Sequence, residues 1–188
     1  GARSPRLQMS EHAAKLAMPV GERDHTRGSP SAPLVLLEYG DYECPHCGTA
    51  YRVVKELCAA FGVELVFVYR NFPLTNVHAH AQRAAETAEW AGVAGRFWDM
   101  HDYLFEHQDR LDDRGLLAAA TALGLDARDL QLAWQSYRLI PRVKEDFLGG
   151  IESGVSGTPR FFINGQRHDG AATLAELSAA LEAARGGT

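Results

Sequence analysis

The sequence predicts an α/β chain on three observations. An apolar run, Leu34 to Gly40, leads directly into a helical pattern and then into a second apolar run rich in Val and Phe. From about residue 78 to 153 the apolar positions recur at helical spacing throughout. A hairpin signal and an amphipathic helix then close the chain.

Composition narrows the function classes. The chain has 188 residues, 46% hydrophobic and 23% charged, which is ordinary globular usage with enough length for one good core. A net charge of −5 leaves no basic footprint for a nucleic-acid partner. No apolar run approaches the roughly 20 residues that a membrane helix needs. Three cysteines are too few for a disulfide scaffold, so their spacing points to chemistry instead of stapling.

Residues 1–33 are polar and rich in Pro, Gly and Ser, and read as a tail or arm, with Ser10 to Leu16 a candidate short helix. Residues 1–30 hold no apolar stretch long enough for a secretory signal, and Met9-Ser10 is a candidate native start. The expectation is a cytoplasmic location. A periplasmic or exported one stays open, because a chain whose signal peptide had been removed would read the same.

The first strand spans about 34–40. A helix at about 45–61 carries Cys47, Tyr51, Val54, Cys58 and Phe61 on one stripe, spaced by three or four. Val63 to Arg70 suits a second buried strand. Strand, helix and strand make a right-handed crossover, so the two strands are expected to be parallel. Helices follow at about Ala79 to Ala91 and Arg96 to His107. A third is capped by Asp112 or Asp113 and ended by Gly124. Asp126 with Asp129 three residues on starts a fourth. Pro141 opens a fifth, ahead of Val143, Phe147 and Ile151. Asn164-Gly165 between Phe161-Phe162-Ile163 and Gln166-Arg167-His168 specifies a type I′ hairpin, whose two central residues need positive φ. Thr173 to Ala184 is the last helix, with Leu174, Leu177 and Leu181 on one face. Outside the helical block this is the thioredoxin order of elements.

Cys44-Pro45-His46-Cys47 sits at the first strand-to-helix junction. Two cysteines separated by two residues there form a dithiol that can open and close. Helix-end amides and the partial positive charge of the helix N-terminus favour a thiolate on Cys44, whose sulfur is expected to be exposed. His46 can add a positive charge or an N–H donor. Asp41 and Glu43 oppose the thiolate if their carboxylates face the sulfur.

With Glu38-Tyr39-Gly40-Asp41-Tyr42-Glu43-Cys44-Pro45-His46-Cys47, Arg70-Asn71-Phe72-Pro73-Leu74 and Gly157-Thr158-Pro159-Arg160-Phe161-Phe162-Ile163-Asn164-Gly165 in place, the chain resembles the DsbA-like thiol–disulfide oxidoreductases of the thioredoxin superfamily. It is closest to the subgroup that often lacks an obvious signal peptide. The resemblance covers about residues 33–184. It implies a thioredoxin-like fold, residues 34–77 and 154–188, with an inserted helical subdomain, 78–153, between the βαβ and ββα halves. It also implies catalytic roles for Cys44, Pro45, His46 and Cys47. Cys44 is the attacking or attacked sulfur and Cys47 the resolving one. Glu38 matches the family's buried acid, which passes protons to the resolving cysteine; the plainer reading is a partly exposed strand glutamate. Pro159 matches the family's cis-proline, and Thr158 would offer its backbone to an extended substrate strand.

Other readings weigh less. Zinc needs four ligands, and Cys58 lies about 16 Å farther along the same helix at 1.5 Å per residue, so it cannot join the pair. Cys58 reads as a small core residue. His78 and His80, two apart, point to different helix faces and read as capping or groove-edge residues. His101, His107 and His168 show no partner pattern. Trp90, Trp98 and Trp134 read as helical core.

The expected function is disulfide exchange with protein or peptide thiols. No cofactor beyond the Cys44–Cys47 disulfide is expected, and the partners are those thiols plus a redox partner that reoxidises or reduces the pair. The rival readings are a cytoplasmic disulfide reductase, a glutathione-linked transferase or isomerase of the same superfamily, and a redox sensor without turnover.

Overall fold

The computed structural model describes residues 15–187. Met9 and residues 10–14 of the candidate first helix lie outside them. Lys15 makes an isolated antiparallel bridge to Gln166, and Leu16 N donates to Gly165 O at 2.8 Å, so neither is helical.

Strands β1 (His25–Gly28), β2 (Leu34–Gly40), β3 (Leu65–Asn71), β4 (Arg160–Ile163) and β5 (Gln166–Arg167) form one sheet in the order β1-β3-β2-β4-β5. β2 and β3 are parallel, as the crossover requires, and the remaining pairs are antiparallel. Helix α1 (Pro45–Phe61) makes the crossover and stops at Gly62, whose φ of 53° is a left-handed value that glycine adopts without a Cβ penalty. A 3-10 turn at Gly62–Glu64 takes the first residues expected for β3.

Five helices stand between β3 and β4: α2 (Ala81–Val93), α3 (Phe97–Glu106), α4 (Asp113–Ala122), α5 (Ala127–Gln135) and α6 (Ile140–Glu152). Asp112 and Asp126 cap α4 and α5, accepting from Gly115 N and Arg128 N at 2.9 Å each. Asn164 (φ 47°) and Gly165 (φ 81°) make the expected hairpin turn between β4 and β5. Helix α7 (Leu174–Arg185) starts at Thr173, whose hydroxyl accepts from Glu176 N.

Strand alternation divides the core. Leu34 and Leu36 of β2 and Phe161 and Ile163 of β4 face α1 and α7 in the larger cluster. Leu37, Tyr39, Val68 and Phe162 face the other way, against Val155, Phe72 and Phe147. By this alternation Glu38, buried at 2% exposure, lies on the α1 face beneath the dithiol.

Three expectations need correction. The tail or arm of residues 1–33 is, from residue 15 onward, attached to the sheet: His25–Gly28 pairs with Val66–Tyr69 as an edge strand. The segment His-Thr-Arg-Gly is short and polar, which hides a strand from any pattern of apolar residues. Side chains hold it. Arg27 forms a two-pronged pair with Asp102 (2.9 and 2.8 Å), and His25 stacks on Phe97 with its Nε2 2.9 Å from Glu89. On α6, Ile151 is 51% exposed, because the inner face runs through Val143, Asp146, Gly149 and Gly150. A Cβ at Gly150 would meet the Phe72 ring at 2.7 Å, so close approach of α6 to the sheet selects glycine there. Leu174, at the start of α7, is likewise partly exposed while Leu177 and Leu181 are buried.

Candidate active site

Cys44 is the N-cap residue of α1, with extended dihedrals and Pro45 in the first turn, where a missing N–H costs nothing. One local hydrogen bond and contacts from two distant chain segments fix this turn. Cys44 N donates to Asp41 O at 3.1 Å. Gln108, just past α3, donates from Nε2 to Tyr42 O and Cys44 O at 2.8 and 3.0 Å. Cys44 Sγ lies 3.7 Å from the Thr158 carbonyl, to which it donates only in its protonated form. The Thr158–Pro159 peptide bond is cis. These residues cover the sulfur: Cys44 is only 4% exposed, against the expectation of an exposed thiol.

Both thiols are free, so the pair is in its reduced form. They are electrostatically unlike. The Cys44 thiol is lowered to about 5, first by a hydrogen bond from the Cys47 thiol. Burial opposes that effect, and the backbone N–H groups of Cys47 and His46 reinforce it. Cys47 is fully buried and pushed well above the ordinary thiol value, first by burial, then by its hydrogen bond to Cys44 and by the charge of Glu38. One proton is therefore shared so that Cys44 carries the negative charge. What reaches the sulfur from His46 is its backbone N–H; Pro45 and the His46 ring are exposed beside it.

Glu38 is buried at 2% exposure, so it is not a partly exposed strand residue. Burial raises its carboxyl to about 8, and the Cys44 charge adds to the rise. Its Oε1 has no hydrogen-bond partner among the described residues. The side chain borders a cavity of about 130 Å³ that reaches past Tyr51, His101 and Cys58 to the exposed Lys55. A neutral acid in the folded chain and an ionised one in the unfolded chain make stability fall with rising pH between 4.5 and about 8. Glu38→Gln is therefore expected to stabilise the reduced protein by about 3 kcal/mol at pH 8 and by little at pH 4. Urea unfolding at the two pH values measures the difference; equal shifts at both would contradict the buried neutral acid.

The Asp41 and Glu43 carboxylates are both engaged by hydrogen-bond donors other than the thiols. Asp41, 2% exposed, accepts from Glu43 N (2.8 Å), Leu74 N (2.9 Å) and His78 Nδ1 (2.8 Å). Glu43 accepts from His80 N at 2.9 Å. Sequence reading missed His78 and Gln108 as parts of this site. Their partners lie 37 and 64–66 residues away, and no local pattern signals such contacts. Of the remaining histidines, His101 is buried with Nδ1 3.0 Å from Tyr42 Oη, and His107 and His168 bond to the carbonyls of Tyr103 and Ala171. Trp90 and Trp134 are core residues, whereas Trp98 is half-buried under the Arg27 guanidinium.

Beside the dithiol runs a groove of about 300 Å³, lined by His46, Thr49, Thr158, Pro159 and His168 among others. Among the described residues no three His, Cys, Asp or Glu side chains are grouped to hold a metal ion.

A sequence profile described as thioredoxin matches residues 21–183. The Na(+)/H(+) antiporter NhaA 1 of Salinispora arenicola is 46% identical over 183 residues, 97% of this chain and 28% of that protein. The chain thus spans less than a third of the length of the curated relatives it matches. Among solved structures, BdbD from Bacillus subtilis superposes with a TM-score of 0.82 at 20% identity, covering 93% of this chain and 99% of that one. Alpha-DsbA1 from Wolbachia pipientis gives 0.77 at 21% identity, covering 91% and 94%. The matched profile and this shared architecture place the chain in the thioredoxin family, with a DsbA-like fold.

Proposed function

We propose that the chain is a thiol–disulfide oxidoreductase that donates its Cys44–Cys47 disulfide to protein or peptide thiols. The observation that carries this reading is the asymmetry of the two thiols. A Cys44 thiol at about 5 is ionised at neutral pH, while Cys47 holds its proton. A thiolate held that low stabilises the reduced form and makes the disulfide the more oxidising partner.

A substrate thiolate attacks Cys44 Sγ of the disulfide; a substrate–Cys44 bond forms and the Cys44–Cys47 bond breaks. Its electron pair leaves on Cys47, which takes a proton because its thiol lies well above neutral. Glu38, protonated at neutral pH and facing the pair from below, is suited to supply that proton. A second substrate thiolate then attacks the substrate sulfur of the mixed disulfide. Cys44 leaves as a thiolate and needs no proton. The substrate has lost two electrons and the enzyme holds them as a dithiol, which a partner disulfide or another oxidant must remove. The groove beside Pro159 and the Thr158 backbone suits an extended substrate segment added as a strand.

The antiport activity named for the Salinispora protein is that longer protein's own. No described helix is long and apolar enough to cross a membrane, and the match covers 28% of that protein.

The test is oxidation of a reduced two-cysteine peptide in large excess over the protein, with glutathione disulfide as the reoxidant. Many peptide disulfides per chain are expected. Capture of a single peptide per chain, without turnover, would make the protein a redox sensor instead.

A further inference from the structure

The Asp41 carboxylate poses an electrostatic problem for this site. It is buried three residues before Cys44, and its own backbone is bonded to both reactive residues. Its carbonyl accepts from Cys44 N at 3.1 Å, and its N–H is directed at the Cys47 sulfur. A negative charge built into that turn works against a second negative charge on Cys44. The carboxylate has one ion-pair partner among the described residues, His78, whose Nδ1 lies 2.8 Å from Oδ2. Glu43 N and Leu74 N also donate to the carboxylate, at Oδ1 and Oδ2, and fix its orientation. The His78 side chain is 19% exposed, so it can exchange protons with solvent while its position stays fixed.

We propose that His78, held on Asp41, is a positioning residue of the dithiol: as an imidazolium it cancels the Asp41 charge and sets how far the Cys44 thiolate is favoured over the disulfide. The proposal rests on the oxidoreductase reading and names the residue that tunes it. The charged and titratable groups around the imidazole are Asp41 and Glu43 from the turn before α1, Cys44 at the helix start, and His80 on its own segment. Asp41, Cys44 and Glu43 all favour its protonated form, and burial opposes them as the largest single effect; the net direction is upward from 6.5. The coupling is reciprocal. If the thiolate favours the imidazolium, the imidazolium favours the thiolate by the same factor.

Two measurements test this on the intact chain. The first needs no variant: His78 is titrated by NMR in the dithiol and in the disulfide form. Oxidation removes the Cys44 charge, so the His78 midpoint is expected to fall by about one pH unit, as for a neighbouring opposite charge. The second compares the thiolate absorbance of Cys44 and the glutathione equilibrium in wild type, His78→Gln and His78→Lys at pH 6. His78→Gln is expected to raise the Cys44 midpoint by about one unit and to make the disulfide about tenfold less oxidising, roughly 30 mV for a two-electron couple. His78→Lys, which keeps a cation, is expected to return both to within about threefold of wild type. A His78 midpoint that does not move on oxidation overturns the proposal. So does a folded His78→Gln protein with wild-type Cys44 values, or a His78→Lys protein indistinguishable from His78→Gln. None of these readouts requires turnover, so a protein that fails to oxidise peptides would defeat the functional reading and leave this coupling separately measurable.

Discussion

Cys44→Ser is expected to reduce peptide oxidation to the uncatalysed level, a loss on the order of 10³-fold or more. The serine hydroxyl cannot form the mixed disulfide, and no other thiol is placed to substitute. Cys47 is fully buried, with its thiol raised well above the ordinary value. Cys58 is half-buried, and burial raises its thiol too, with Arg27 only partly offsetting the effect. It also lies three turns down α1 from Cys47. The companion variant Cys47→Ser keeps Cys44, puts a hydroxyl where the Cys47 thiol donated to it, and loses the resolving sulfur. Given a one-cysteine peptide carried as its mixed disulfide with glutathione, the variant's Cys44 thiolate is expected to attack the peptide sulfur; the Cys44–peptide bond forms, glutathione leaves as a thiolate, and the adduct accumulates as one added peptide mass per chain. Measurable turnover in Cys44→Ser would mean that the exchanging sulfur has been wrongly assigned.

The largest expected effect on stability is at Arg70, far from the sulfur. Its guanidinium is 4% exposed and fully engaged. Nε and Nη2 donate to Asp24 at 2.8 and 3.0 Å, Nη1 to Met18 O and Tyr39 Oη at 2.8 and 2.9 Å, and Nη2 to Pro19 O at 3.2 Å. This cluster fastens residues 18–24 to β2 and β3. Arg70→Met fills similar volume but leaves Asp24 without its main counter-charge and two carbonyls without donors. A cost of about 3–5 kcal/mol is expected at pH 7, the range for breaking one side of a buried pair.

The pH dependence has a definite sign. Burial, the largest single effect on Asp24, raises its carboxyl. The Arg70 hydrogen bond, the Gly21 N–H and the charges of Arg70 and Arg142 together outweigh burial and hold it below 3.8. A carboxylate depressed on folding contributes stability above the unfolded value, and that contribution is lost as pH falls through the folded one. The gap between wild type and Arg70→Met is therefore expected to narrow between pH 5 and pH 2 in urea unfolding. A loss below about 1 kcal/mol at pH 7 would show that the cluster is dispensable.

Legibility in the sequence followed the range of the physical signal. Elements set by local rules were readable: Leu34 to Gly40 as a buried strand, α1 from the Cys44 junction to Gly62, the caps at Asp112 and Asp126, and the turn at Asn164-Gly165. The dithiol was readable because its chemistry needs two cysteines at one helix start. β1 was not, since a four-residue polar edge strand has no apolar period and is held by Arg27–Asp102 and His25–Phe97 contacts across distant segments. The direction in which Asp41 points was also unreadable. It depends on His78 and Leu74, which the fold brings to it from beyond β3. Cys44 reads as exposed from its helix-end position alone; the Thr158 carbonyl, 114 residues on, covers it.

The reduction potential of the Cys44–Cys47 pair, measured in graded glutathione buffers at pH 7, tests the central claim most directly. A Cys44 thiolate favoured as strongly as the geometry indicates predicts a potential more oxidising than about −200 mV, toward the roughly −120 mV end of the scale. A value near about −270 mV would contradict the account and make the protein a reductase.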